Sequence, residues 1–260
     1  MNWITKFKHW QTTRILRKHA IPNQLWIETT ASLPLINVLN LNEKERIREL
    51  ATLFIYEKSF SGAHDFVVTG EMQVVIAAQA CLEIMHLGLS AFDGWKEIII
   101  YPGAFRVTRN THDEMGLVTT QDNVLSGEAW GLGPVILSWD NVAQDSFHSH
   151  TGHNVVIHEF AHKLDMLNGR ANGMPPLHPD MHIEEWTHSL SQAYIKLTQR
   201  VEHHHAKINA YAITNPAEFF AVICEYYFTA PDILLNRYPE VYHQLKRYFR
   251  QDPIERFTAP

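Results

Sequence analysis

The stretch Val155-Val156-Ile157-His158-Glu159-Phe160-Ala161-His162-Lys163-Leu164-Asp165 constrains this chain more than any other. Residues four apart on an α-helix lie one turn apart on the same face. Written as a helix, the stretch aims the imidazoles of His158 and His162 at one point, with Glu159 flanking it. Two neutral nitrogens beside a carboxylate able to take a proton are what a zinc hydrolase requires. Ile157, Phe160, Ala161 and Leu164 recur at i, i+3, i+4 and i+7, giving an apolar stripe for burial. Asn168-Gly169 then supplies a C-terminal stop. The competing interpretation is a core helix with two hydrogen-bonded histidines, and the rest of the chain has to separate the two.

A catalytic zinc needs a third protein ligand and an open position. A third His six residues after the second, with a Gly between, is one known pattern, but Asn168 and Asp165 stand at those places. A Glu on a later helix is another. Glu184 and Glu185 lie about twenty residues on, with His178 and His182 nearby, the distance such sites use. Glu218 is the stronger candidate, because Asn215-Pro216-Ala217-Glu218 reads as a helix start with Asn215 as N-cap and Pro216 in first position. Tyr211, seven residues earlier, could donate a hydrogen bond to an oxyanion formed nearby. Glu218 could instead be a capping-box carboxylate turned back to Asn215, and Tyr211 a half-buried aromatic. Asp165 and Glu225 are both candidates for orienting a ligand imidazole.

The remaining segments set the frame. Asn42 with Glu45 looks like a helix start running to about Phe60, and a second helix occupies about Glu71 to Leu87. Glu97–Tyr101, Phe105–Val107, Leu117–Thr119 and Val135–Trp139 read as strands, the last most clearly. Asp140–His150 is polar and loop-like. Further helices fit Glu184–His203, Asn215 to about Phe228, and Pro239–Arg250. Met1–Ala20 carries five Lys and Arg and no acid, lacks the apolar run of a secretory signal, and is taken with the irregular residues after it as a basic arm, 1–30, before one domain, 31–260. The chain's net charge of −6 disfavours nucleic acid as a direct partner. The window Val74–Leu89 is broken by Gln79, Glu83 and His86, which makes it a core helix and not a membrane span. Only Cys81 and Cys224 occur, both in apolar helical patterns, so a reducing compartment and a cytoplasmic protein are expected.

The segment Tyr211-Ala212-Ile213-Thr214-Asn215-Pro216-Ala217-Glu218-Phe219-Phe220-Ala221, with His158-Glu159-Phe160-Ala161-His162, resembles the protease domain of anthrax lethal factor. Nearly everything after the basic arm is similar to the MtfA (Mlc titration factor A)-like zinc peptidase family. Phe92-Asp93-Gly94-Trp95, Ile100-Tyr101-Pro102, Gly133-Pro134, Gln144-Asp145-Ser146-Phe147, His162-Lys163-Leu164-Asp165 and Thr229-Ala230-Pro231 carry that likeness. The first thirty residues, the loop Gly169–Asp180 and the run His203-His204-His205 depart from it. The resemblance implies an α+β, zincin-like (gluzincin) fold: a small mixed sheet, an active-site helix, a glutamate helix and added N-terminal helices. It implies one Zn²⁺ held by His158, His162 and Glu218, with Glu159 as general base and Tyr211 stabilising the transition state. It also implies peptide substrates, an aminopeptidase activity and a possible repressor partner of the Mlc type. A regulatory binding protein that titrates a transcription factor is the alternative. In zincin folds peptide pairs with an edge strand, which is expected here at Val135–Trp139 or the adjoining Trp130–Pro134.

Overall fold

The computed structural model describes residues 3–103, 105–112, 118–125, 127–129 and 133–258. Helices come first: α1 (Trp3–Lys18), α2 (Asn23–Ala31), α3 (Pro34–Asn37) and α4 (Leu41–Glu57). Strand β1 (Ser59–Gly62) and helix α5 (Gly70–Glu83) follow, then β2 (Glu97–Tyr101), β3 (Phe105–His112), β4 (Val118–Leu125), β5 (Gly127–Ala129) and β6 (Val135–Ser138). The C-terminal half is helical: α6 (Trp139–Ser146), α7 (Val155–Asp165), α8 (Ile183–Glu202), α9 (Pro216–Thr229), α10 (Pro231–Arg237), α11 (Pro239–Phe249) and α12 (Pro253–Thr258).

The mixed sheet runs β1-β2-β6-β5, with β1, β2 and β6 parallel and β5 antiparallel to β6. Strand β6 is therefore internal, pairing through Val135 with Ile98 on one side and with Ala129 on the other. This overturns the expectation that Val135–Trp139 is the edge. The edge next to it is β5, and Trp139 already belongs to α6. The error has a physical source: an apolar run marks a strand buried among neighbours, whereas real edges are kept short and polar. Of the adjoining segment, Trp130, Gly131 and Leu132 lie outside the described residues. Strands β3 and β4 form a separate antiparallel hairpin.

Helix boundaries follow their caps. In α4 the N-cap is Asn40, not Asn42: the Glu43 N–H donates to Asn40 Oδ1 and the Asn40 N–H to Glu43 Oε2, both at 3.0 Å. Both asparagines precede a Glu by three, and the register that buries Ile47, Leu50, Ala51 and Phe54 decides. Asp140–His150 is not loop throughout, since α6 buries Val142 and Ser146 while showing its polar face to solvent. The stretch from Ile21 is likewise more regular than expected, because α2 is a helix and Ile21 and Trp26 lie in the core.

The active element sits where the layers meet. Helix α7 packs against β5 and β6 on one side and α9 on the other. Phe160 enters an aromatic cluster, its ring centroid 5.1 Å from Phe92, 5.7 Å from Phe54 and 5.8 Å from Trp95. Lys163 donates to the Gly133 carbonyl at 2.8 Å, tying the helix to the approach of β6. Cys81 and Cys224 are free thiols and buried.

Candidate metal centre

Helix α7 begins at Asn154, whose Oδ1 accepts the Ile157 N–H at 3.0 Å. From that cap the 3.6-residue period puts Ile157, Phe160, Ala161 and Leu164 fully into the core and leaves His158 and His162 on the adjacent face. Their ring centroids are 4.9 Å apart with planes nearly perpendicular, at 82°. Glu159, beside His158, is buried.

Glu218 comes from the first turn of α9. Asn215 Oδ1 accepts the Glu218 N–H at 3.0 Å, and Pro216 occupies a position where its missing N–H costs nothing. The Glu218 carboxylate turns to the imidazoles, with Oε2 3.0 Å from His158 Nε2 and 3.4 Å from His162 Nε2. One ligand atom from each of the three residues lies within 4.8 Å of the others, and among the described residues no other group of three His, Cys, Asp or Glu does so. Tetrahedral bonds of about 2.1 Å place ligand atoms about 3.4 Å apart, so the spacing and the N,N,O donor set both fit zinc.

The electrostatics suit a cation. Burial works against charge on His158, but the Glu225 and Glu218 carboxylates outweigh it and raise the imidazole pKa well above its ordinary value. Burial also opposes the ionised form of Glu218, yet its hydrogen bonds to His158 and His162 hold it well below the usual carboxylate range. The carboxylate that meets the far side of the His158 ring is that of Glu225, not Asp165. Glu225 Oε1 lies 2.8 Å from His158 Nδ1. Asp165 Oδ2 instead accepts the N–H groups of Asn172 and Gly173, both at 2.7 Å. Gly173 has φ of +79°, and a Cβ there would meet the Pro216 carbonyl oxygen at 2.7 Å, so Asp165 braces this loop against the start of α9.

The other acids and histidines point elsewhere. His178 Nε2 is 2.8 Å from the Tyr248 carbonyl oxygen, and Glu185 pairs with Arg247 at 2.8 Å. Glu184 and His182 are exposed at the start of α8. Tyr211 lies in a 3₁₀ turn, Ala210–Ile213, pinned where Tyr194 donates to the Ile213 carbonyl at 2.7 Å. Its ring is half exposed and centred 6.0 Å from that of His158. Two residues lie behind the site: Asn154, legible in the sequence only as a cap-type residue before an apolar-periodic run, and Gln79, legible only as a polar break in an apolar helix.

The family described as glucose-regulated metallo-peptidase M90 matches residues 7–250. A protein named Mlc titration factor A from Serratia proteamaculans (strain 568) is 40% identical over 235 residues, covering 89% of this chain and 88% of that protein. Its namesake from Yersinia pestis (strain Pestoides F) is 36% identical over 260 residues, covering 98% of this chain and 92% of that protein.

Proposed function

The chain belongs to the glucose-regulated metallopeptidase family M90, and from that premise we propose that it is a zinc-dependent peptidase of gluzincin type, acting as an aminopeptidase. The observation that carries the reading is the turn of the Glu218 carboxylate onto both His158 and His162. Those three residues would hold the ion. When bound, zinc supplies Lewis-acid polarisation of water and of the scissile carbonyl.

The chain's own residues then have separate tasks. Glu159 takes the proton of the attacking water and returns it to the leaving amine, and its burial beside His158 keeps bulk water from competing. Tyr211, on a turn fixed by Tyr194, donates to the oxyanion. Glu225 accepts from His158 Nδ1 and so presents the Nε2 lone pair to the ion. Peptide substrate adds to the sheet beside α7, at the short antiparallel strand β5. The aminopeptidase assignment rests on the family likeness. Two free buried thiols support a cytoplasmic location. No helix among the described residues is long and apolar enough to cross a membrane.

The names of the relatives favour a second reading, in which the chain binds an Mlc-like repressor and the metal site serves only structure. Glu159→Gln separates the two. Peptidase turnover should fall by about 10²–10⁴-fold, the usual worth of a general base, while zinc content stays at one per chain. Retention of full turnover in that variant would sink the peptidase mechanism.

A further inference from the structure

We propose that Gln79 and Asn154 position the metal-ligating ring of His158 from outside the site, acting through Glu225; the proposal rests on the zinc reading above. Gln79 is fully buried in α5, among Val74, Val75, Ile76, Ala77, Ala78 and Ala80. An amide in such surroundings is costly unless both of its ends are bonded. Both are. Gln79 Nε2 donates to the Val75 carbonyl at 3.0 Å and to Ser146 Oγ at 2.8 Å, and Oε1 accepts from Asn154 Nδ2 at 2.7 Å.

Backbone groups force the direction of this chain of bonds. The Val75 carbonyl can only accept, so the NH₂ end of Gln79 must face it and the oxygen must face Asn154. Asn154 must then donate through Nδ2, which leaves its Oδ1 for the Ile157 N–H. A flipped Gln79 would set its oxygen against the Val75 carbonyl, and a flipped Asn154 would strand the Ile157 N–H. The third polar group of Asn154, its main-chain N–H, donates to Glu225 Oε2 at 2.6 Å. Glu225 is thereby held at both oxygens, by Asn154 on one and by His158 Nδ1 at 2.8 Å on the other. His153 is a further titratable group facing it, with Nε2 4.0 Å from Oε2 while its Nδ1 lies 2.9 Å from Asp145 Oδ2. The order is thus Gln79, Asn154, Glu225, His158. With Asn154 displaced, Glu225 keeps one arm and can rotate, and the ring loses the acceptor that fixes its Nδ1 proton and the aim of Nε2. Helices α5, α6, α7 and α9 all contribute, so the precision comes from rigid elements.

The test uses Gln79→Leu, Asn154→Ser and the double variant of the full-length protein. Serine caps a helix as well as asparagine does, so Asn154→Ser severs the link to Gln79 without removing the cap, and it carries the test alone if Gln79→Leu fails to fold. Two properties are read: zinc affinity by competition with a chelator, and the His158 Nδ1 proton by imidazole nitrogen NMR of the metal-free protein. Each single variant should weaken zinc binding by about tenfold, the usual worth of such outer partners. The double variant should be little worse than either, and the slowly exchanging Nδ1 proton should broaden or vanish. Unchanged zinc affinity with only a lower melting temperature would reduce the network to a structural one and overturn the proposal. Weaker zinc binding with the Nδ1 signal intact would overturn it too. Were the parent protein to take up no zinc, the site reading itself would fail, whereas the NMR measurement would still report on positioning.

Discussion

A metal that binds through His158 has to take the place of a proton. The pKa of this ring stands above its ordinary value, because Glu225 and Glu218 outweigh the effect of burial. Below that raised value each bound ion displaces the proton, so zinc affinity should weaken as the pH falls, by up to about tenfold per unit for one displaced proton. Glu218, held well below the carboxylate range, adds no proton of its own over neutral pH. Chelator competition at pH 8 and pH 6 measures this; equal affinity at the two would contradict the protonated pairing. At this scale much of the site was legible in the sequence. The four-residue spacing of His158 and His162 gives a common face, and Asn215-Pro216 gives the helix start that carries Glu218. What spacing along one helix cannot give is distance across to another. Asp165 and Glu225 were therefore equivalent candidates until packing put Glu225 against Nδ1 and turned Asp165 to the loop of Gly173.

Helix α9 depends on its first turn twice over, since Asn215 caps the helix and that turn presents Glu218. Asn215→Ala should cost about 1 kcal/mol of stability in urea unfolding, and it should weaken zinc binding as well because the turn frays. A stability loss with unchanged zinc affinity would show that Glu218 is positioned independently of the cap. Helix α7 is held differently, by Phe160 in its aromatic cluster with Phe54, Phe92 and Trp95. Phe160→Ala should cost about 3–5 kcal/mol, again by urea unfolding. Long periodic helices such as α7, α8 and α9 were readable from pattern and caps. Helix α6 was not, because its polar face dominates a short segment, and the place of β6 in the sheet was not, because strand order is set by partners distant in sequence.

Across the whole molecule, α5 runs through the centre and carries one carboxyl that no mechanism uses. Glu83 is fully buried, and its two oxygens have no hydrogen-bond partner among the described residues. Burial raises its pKa well above the ordinary value. Below the unfolded-state pKa the group is neutral in both states and costs nothing through ionisation. As pH rises toward the folded-state value, the unfolded chain alone releases the proton and stability falls. Glu83→Leu should thus be more stable than the parent at pH 8, by about 1–3 kcal/mol, with the gap shrinking toward pH 5. Unfolding curves with a pH-independent gap would contradict this. The claim on which everything else depends is where the metal lies. Anomalous diffraction at the zinc absorption edge, on crystals of the zinc-loaded protein, tests it most directly. One peak per chain is predicted, about 2.0–2.2 Å from His158 Nε2, His162 Nε2 and a Glu218 oxygen. A peak held by Glu184, His182 or the His203-His204-His205 run, with none between His158 and Glu218, would contradict it.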